Sequence, residues 1–242
     1  MSRSLRSLRS AAPRAGVLVA ALALGLSTAH AANFNFSAGF PGSNFGPPNA
    51  WTYLERDANQ VPPVDTAIGH QTMAPYTGAG CALSSPCWQP VWDDPTQPND
   101  VPQFRSNNSS FTTQSSGGCC GVITFPAKCL IVHPGRALQA VVRFTVPAKP
   151  NGGSYSQAYL KGTVGDQDYN GGNGVDWSVY HGITLLYGGS LQSTSATSIA
   201  SAAFPSTVFP VQTGDVIDVV VDASHGDENF DTTSVCGHIT LS

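Results

Sequence analysis

The chain has 242 residues, 41% of them hydrophobic and only 11% charged, with 11 Lys and Arg against 15 Asp and Glu. A net charge of −4 argues against nucleic acid, whose phosphates are met by Lys and Arg, and against anionic membrane surfaces. Six cysteines, 25 glycines and 18 prolines suit a loop-rich, disulfide-bonded β protein better than a helical one.

In chain order, the first element is a targeting segment. Arg3, Arg6, Arg9 and Arg14 precede an apolar run from Ala15 to Leu26, and Ala29-His30-Ala31 offers small residues for a cut after Ala31. Residues 1–31 read as a secretory signal peptide. The apolar run is well short of the ~20 residues that span a bilayer, so no membrane span is expected. The product would be secreted, either extracellular or periplasmic. The segment carries four of the eleven basic residues and no acid. The remaining 211 residues therefore hold seven basic residues against fifteen acidic, a net −8. That length fits one β domain over residues 32–242.

Residues 32–118 are loop-rich. "FPGSNFGPPNAW", "NQVPPVD" and "DDPTQPNDVP" are turn chemistry, interrupted by short apolar pieces such as Trp51 to Leu54. Trp51, Tyr53, Trp88, Trp92 and Phe104 argue against disorder in this part. Residues 119–242 alternate with period two. Ala140, Val142, Phe144 and Val146 share one face, with Gln139, Val141, Arg143 and Thr145 on the other. "SYSQAYLKGTV" reads as a second strand. Val175, Trp177 and Val179 share a side, and "HG" turns the chain into "ITLLYGG". Ile217, Val219 and Val221 oppose Val216, Asp218, Val220 and Asp222. The last strand groups Val235, Gly237, Ile239 and Leu241. Such short strands broken by Gly and Pro predict an antiparallel β-sandwich.

The cysteines Cys81, Cys87, Cys119, Cys120, Cys129 and Cys236 are even in number in an exported chain and read as disulfides. Cys81 and Cys87 bracket "ALSSP" and form the expected local bridge. The other pairings stay open. Zinc is disfavoured by export and by the lack of a C-x-x-C pair.

The series "LIVHPG", "AVVRFTVPA", "GSYS", "GDVIDVVVD", "DENFDTTSV" and "ITL" resembles a family of secreted bacterial jelly-roll domains, over roughly residues 120–242. "NAWTYLERD" resembles that family's opening strand. The resemblance implies a jelly-roll sandwich similar to carbohydrate-binding modules, in exported proteins. It implies no catalytic motif.

Several side chains are candidates for chemistry. Trp88 and Trp92 lie four apart in "CWQPVW", which in an extended segment places them on one face, spaced for stacking on sugar rings. Trp51 and Tyr53 join them as expected ligand contacts. Asp166, Asp168, Asn170 and Gly171 match the first half of a calcium loop that Asp176 would close. No glutamates occur besides Glu55 and Glu228, and no G-x-S-x-G elbow is present. The loop after Val221 holds Asp222, His225, Asp227, Glu228 and Asp231. Asp231-Thr232-Thr233 reads chiefly as a hydrogen-bonded turn that fixes the last strand.

Three functions are open. The first is a non-catalytic secreted glycan-binding or cell-surface protein, whose partner is a polysaccharide or cell-surface glycan. The second is a glycan-cleaving enzyme using Glu228 with Asp227 or Glu55. The third is a structural matrix protein. No cofactor is expected other than calcium at the Asp166 loop.

Overall fold

In a computed structural model the described residues are 31–37, 50–57, 64–67, 74–76, 87–89, 102–107, 112–117, 121–168, 171–195, 198–224 and 231–242. None of their elements is an α-helix. The fold is a disulfide-bonded antiparallel β-sandwich of jelly-roll type. One sheet, sheet A, is built on β11 (Gln157–Asp166), β17 (Thr233–Leu241), β9 (Cys129–His133) and β6 (Gln103–Asn107) in that order. β17 is long enough to take two partners on one edge. β9 pairs with its first half and β1 (Ala32–Asn35) with its second. β15 (Thr207–Pro210) and β14 (Ser201–Ala203) share the outer edge of β11 in the same way.

The facing sheet, sheet B, runs in the order β13 (Thr184–Leu191), β12 (Val175–His181), β16 (Val216–Ala223), β10 (Gln139–Thr145), β2 (Trp51–Asp57) and β3 (Val64–Ala67). Two hairpins stand apart from these sheets: β4 (Ala74–Tyr76) with β5 (Cys87–Gln89), and β7 (Thr113–Gly117) with β8 (Gly121–Phe125).

The period-two pattern explains the core. Ala140, Val142, Phe144 and Val146 face inward with Val175, Trp177 and Val179, with Ile217, Val219 and Val221, and with Val235, Ile239 and Leu241. Burying such a side chain contributes about 1.5–3 kcal/mol. One position needs glycine. At Gly237 φ is +126°, and an added Cβ would lie 2.1 Å from the Lys161 carbonyl oxygen. Gly237 stands opposite Gly162, so the two strands approach where a side chain has no room.

The outer faces are not simply solvated. Cys129 and Cys236 are direct cross-strand partners on the outer face of sheet A and form a disulfide with Cα atoms 4.3 Å apart. That is the spacing of a non-hydrogen-bonded pair, where side chains lie closest. Phe125 and Ile123 of the β7–β8 hairpin pack over this bridge and Ile131. The Cys81–Cys87 bridge lies outside the described residues.

In sheet A, β9 and β11 end at the level where β17 begins, and in sheet B, β16 ends at the level where β10 and β12 begin.

Candidate functional site

Trp51 and Tyr53 are corrected from ligand contacts to core residues. They are odd-numbered inward positions of β2, only 7% and 1% exposed. Trp51 packs on Phe36 and Phe144, with ring centroids 5.0 and 4.9 Å away, and Tyr53 on Phe104 at 5.1 Å. Burial pushes the Tyr53 phenol far above its usual range. An aromatic signal in a loop-rich stretch fits a core anchor as well as a platform. Trp88 lies in β5 opposite Pro75; its side chain, and the whole of Trp92, lie outside the described residues.

Glu55 shares the inward face with Trp51 and Tyr53, toward the end of β2. It is 8% exposed, and among the described residues its Oε2 has no hydrogen-bond partner. Burial raises its pKa above the ordinary carboxylate value. Asp227 and Glu228 lie outside the described residues, as do Cys81, Cys119 and Cys120 and the side chain of Cys87.

The residues of the calcium-like loop lie on different elements, Asp166 on β11 and Asp176 on β12. Asp166 ends β11 fully buried. Its Oδ2 accepts the Ser193 backbone N–H at 2.7 Å and its Oδ1 accepts that of Asp168 at 3.1 Å. The Ser193 hydroxyl donates to the Asp166 carbonyl at 2.6 Å and accepts the Ala200 N–H at 2.9 Å. Asp166 thus ties the crossing loop to the chain that follows β13. Burial raises its pKa and these hydrogen bonds pull it back down. Asp168 is buried beside it. Asp176, by contrast, lies on the outer face of sheet B, one residue out of phase with the inward Val175 and Trp177. Asn170 lies outside the described residues. Among the described residues no three of His, Cys, Asp and Glu are grouped as metal ligands.

The end of the acid loop is hydrogen-bonded structure. Asp231 and Thr233 are fully buried, and the Thr233 hydroxyl donates to the Asp231 carbonyl at 3.1 Å. The Gln167 N–H donates to the Thr232 carbonyl at 2.7 Å, and its side-chain amide to the Ser234 hydroxyl at 2.8 Å. These bonds fix the entry to β17 across two connections.

What the sequence did not reveal is a polar array on the outer face of sheet B. Strand register sets Asp176 directly opposite Asp222. Such cross-strand neighbours have Cβ atoms about 4.5–5.5 Å apart. Gln139 donates to Asp222 Oδ2 at 2.7 Å, and the Ser190 hydroxyl donates to Asp176. Burial raises the Asp222 pKa; the Gln139 hydrogen bond opposes this and the Asp176 charge adds to it.

Two residues along, β12 and β13 carry only Ser178 and Gly188, which are register partners. An added Cβ at Gly188 would come 2.6 Å from the Trp177 carbonyl oxygen and 3.2 Å from Ser178 Cβ, so this row stays low. Tyr180 stands beyond it.

Next to Tyr180 is an ion-pair cluster. Arg143 grips Asp218 with Nε–Oδ1 at 2.8 Å and Nη2–Oδ2 at 2.7 Å, and Arg56 Nη2 reaches Oδ2 at 2.8 Å. The Arg56 guanidinium carbon sits 6.0 Å from the Tyr180 ring centroid. Leu54, Val141 and Val220, all on this outer face, are buried, and Tyr180 packs on them. The face is therefore a fixed platform: an apolar floor, an ion-paired rim and a pair of carboxylates.

No family model and no curated protein matches the chain in sequence. Solved structures that it resembles include the CBM51 of a Clostridium perfringens GH95 protein in complex with methyl-galactose. That match has a TM-score of 0.33 and 14% identity, and covers 57% of this chain and 91% of that one. A second is CBM51-2 in complex with GlcNAc, with the INT domains, of Clostridium perfringens ZmpB, at TM-score 0.33 and 17% identity over 55% of this chain and 28% of that one. A third is the Stig cyclase Fisc from Fischerella sp. TAU, at TM-score 0.36 and 11% identity over 88% and 98%. At such scores the likeness carries no functional argument.

Proposed function

We propose that the protein is an exported, non-catalytic glycan-binding protein, and that its binding face is the outer face of sheet B. One observation carries the reading: Asp176 and Asp222 stand side by side, bonded to Ser190 and Gln139, with Ser178 and then Tyr180 following on the same face of β12. Carboxylates accept hydrogen bonds from hydroxyls, and charged acceptors make the stronger bonds. Gln139 and Ser190 hold one oxygen of each carboxylate in place. The row at Ser178 and Gly188 leaves room for a flat ring to approach, and Tyr180 offers apolar surface beside it. A sugar has that mixture of hydroxyl edge and C–H face. The ion-paired Asp218 and the buried Leu54, Val141 and Val220 keep the platform rigid, which lowers the ordering cost of binding.

Export is supported by residues 1–31 and by the Cys129–Cys236 disulfide, since such bonds persist in oxidising compartments. Trp88 and Trp92 are proposed as a second, aromatic contact.

The test is a polysaccharide array probed with the oxidised protein, followed by product analysis of every hit. Binding without new reducing ends supports this reading. New reducing ends would establish a glycan-cleaving enzyme instead, and Glu228→Gln would then be examined first. Binding to no glycan would overturn the reading in favour of a structural role.

A further inference from the structure

Residues 182–214 contain no charged residue, a run of 33 in a chain whose other residues hold all fifteen acids. This run supplies β13, β14 and β15. Those strands form one side of the sandwich. β13 is the last strand of sheet B, and β14 and β15 line the last edge of sheet A. Phe204, between β14 and β15, packs on Trp177 and Tyr187 with centroids 5.8 and 5.9 Å away. Phe209 meets the His181 ring at 5.2 Å. The two edges therefore close over the same part of the core.

The large hydrophobic side chains exposed among the described residues also belong to this run. Ile183 is 99% exposed, and Leu185 and Val208 are each 56% exposed. An open strand edge in a soluble protein is usually guarded by charge, proline or shortness. β14 and β15 are short, and Pro205 and Pro210 interrupt them. β13 has no charge and no proline in its eight residues, Thr184–Leu191; its pairing with β12 shifts register at Leu186, which leaves Tyr187–Leu191 as its regular stretch. Among the described residues it pairs with β12 and no strand pairs its other edge.

We infer that this side of the sandwich docks on a second copy of the chain, with β13 pairing antiparallel to β13 of the copy about a two-fold axis. Charge selects the occupant. Two acidic copies repel wherever their acids face each other, and the uncharged side lets them meet without opposed like charges. A two-fold contact uses the same patch on both copies, which a single strand paired with itself satisfies. Gly188 and Gly189 lie near the middle of β13, where the axis would pass, and both are exposed. Ile183 and Leu185 then cover the ends of the paired strands. The pairing would set the two outer faces of sheet B edge to edge and offer a polysaccharide two contacts on one surface.

Sedimentation velocity of the oxidised protein over a concentration series tests this. A dimer is expected, held as tightly or more tightly when salt screens the acidic surfaces. The double variant Ile183→Lys/Leu185→Lys should weaken it at least about tenfold, and at concentrations where the parent is monomeric its melting curve should match the parent's because both side chains are exposed. Hydrogen exchange gives an independent reading: amides 184–191 should gain protection as concentration rises. A monomer at every concentration, a dimer indifferent to the double variant, a dimer dissociated by salt, or no added protection over 184–191 would each overturn the inference.

Discussion

Asp218→Asn tests the platform beneath the proposed binding face. The carboxylate is 2% exposed and accepts three charged contacts at 2.7–2.8 Å, two from Arg143 and one from Arg56. The substitution keeps shape and removes charge, leaving two guanidiniums without that counter-ion. Removing one partner of a buried pair costs about 3–5 kcal/mol. Here the arginine side chains are 23% and 13% exposed, so water recovers part of the loss and about 3 kcal/mol is expected. For a domain of this size that is a fall in Tm of about 6–12 °C. Arg56→Met is the control. Asp218 then keeps both Arg143 contacts, and the cost should be about 1–2 kcal/mol. Urea denaturation of the two variants against the parent gives both numbers. A loss for Asp218→Asn no larger than for Arg56→Met would refute the reasoning.

Four further outcomes are expected. Burial raises the folded-state pKa of Glu55, so its neutral form suits the fold; stability is fullest below the unfolded pKa and falls as pH rises through the higher folded value. Glu55→Gln should therefore be more stable than the parent at pH 7 and lose that advantage in acid, and melts showing a pH-independent difference would contradict this. Cys129→Ala/Cys236→Ala should lower stability by about 2–5 kcal/mol, since the bridge closes a loop with a sequence separation of 107, as read by denaturation of the two proteins. Asp166→Ala should cost about 2–4 kcal/mol by stripping the acceptor from two backbone N–H groups. The parent should melt identically in millimolar calcium and in chelator, and a rise with calcium that Asp168→Ala abolishes would instead make the loop a calcium site.

The sandwich was legible because inward apolar residues alternate along β10 and β16, Ala140 to Phe144 and Ile217 to Val221, and along β17 from Val235 to Leu241 with only Gly237 breaking the series. Alternation says which residues share a face and nothing about which strands adjoin. The Asp176–Asp222 pair depends on β12 lying beside β16 in one register, and no local pattern encodes that. Alternation also assigned Val141 and Val220 to the outer face without showing that they are buried. That follows from the company of Leu54 and Tyr180 on neighbouring strands. Trp51 and Tyr53 misled because aromatic residues among turns serve as anchors or as platforms, and only the opposing sheet decides between them. The D-x-D spacing at Asp166 is equally that of an aspartate bonding the backbone two residues on, and Asp166 makes that bond.

The most direct measurement is a calorimetric titration of the strongest array-selected oligosaccharide into the parent and into Asp176→Asn/Asp222→Asn. These carboxylates sit on the outer face and support no core contact, and replacing them removes the burial and like-charge costs that raise the Asp222 pKa, so the double variant should melt at or above the parent. The account predicts at least a tenfold loss of affinity, about 1.4 kcal/mol, in that folded variant. Undiminished binding by the folded double variant would contradict the assignment of the outer face of sheet B as the glycan-binding surface.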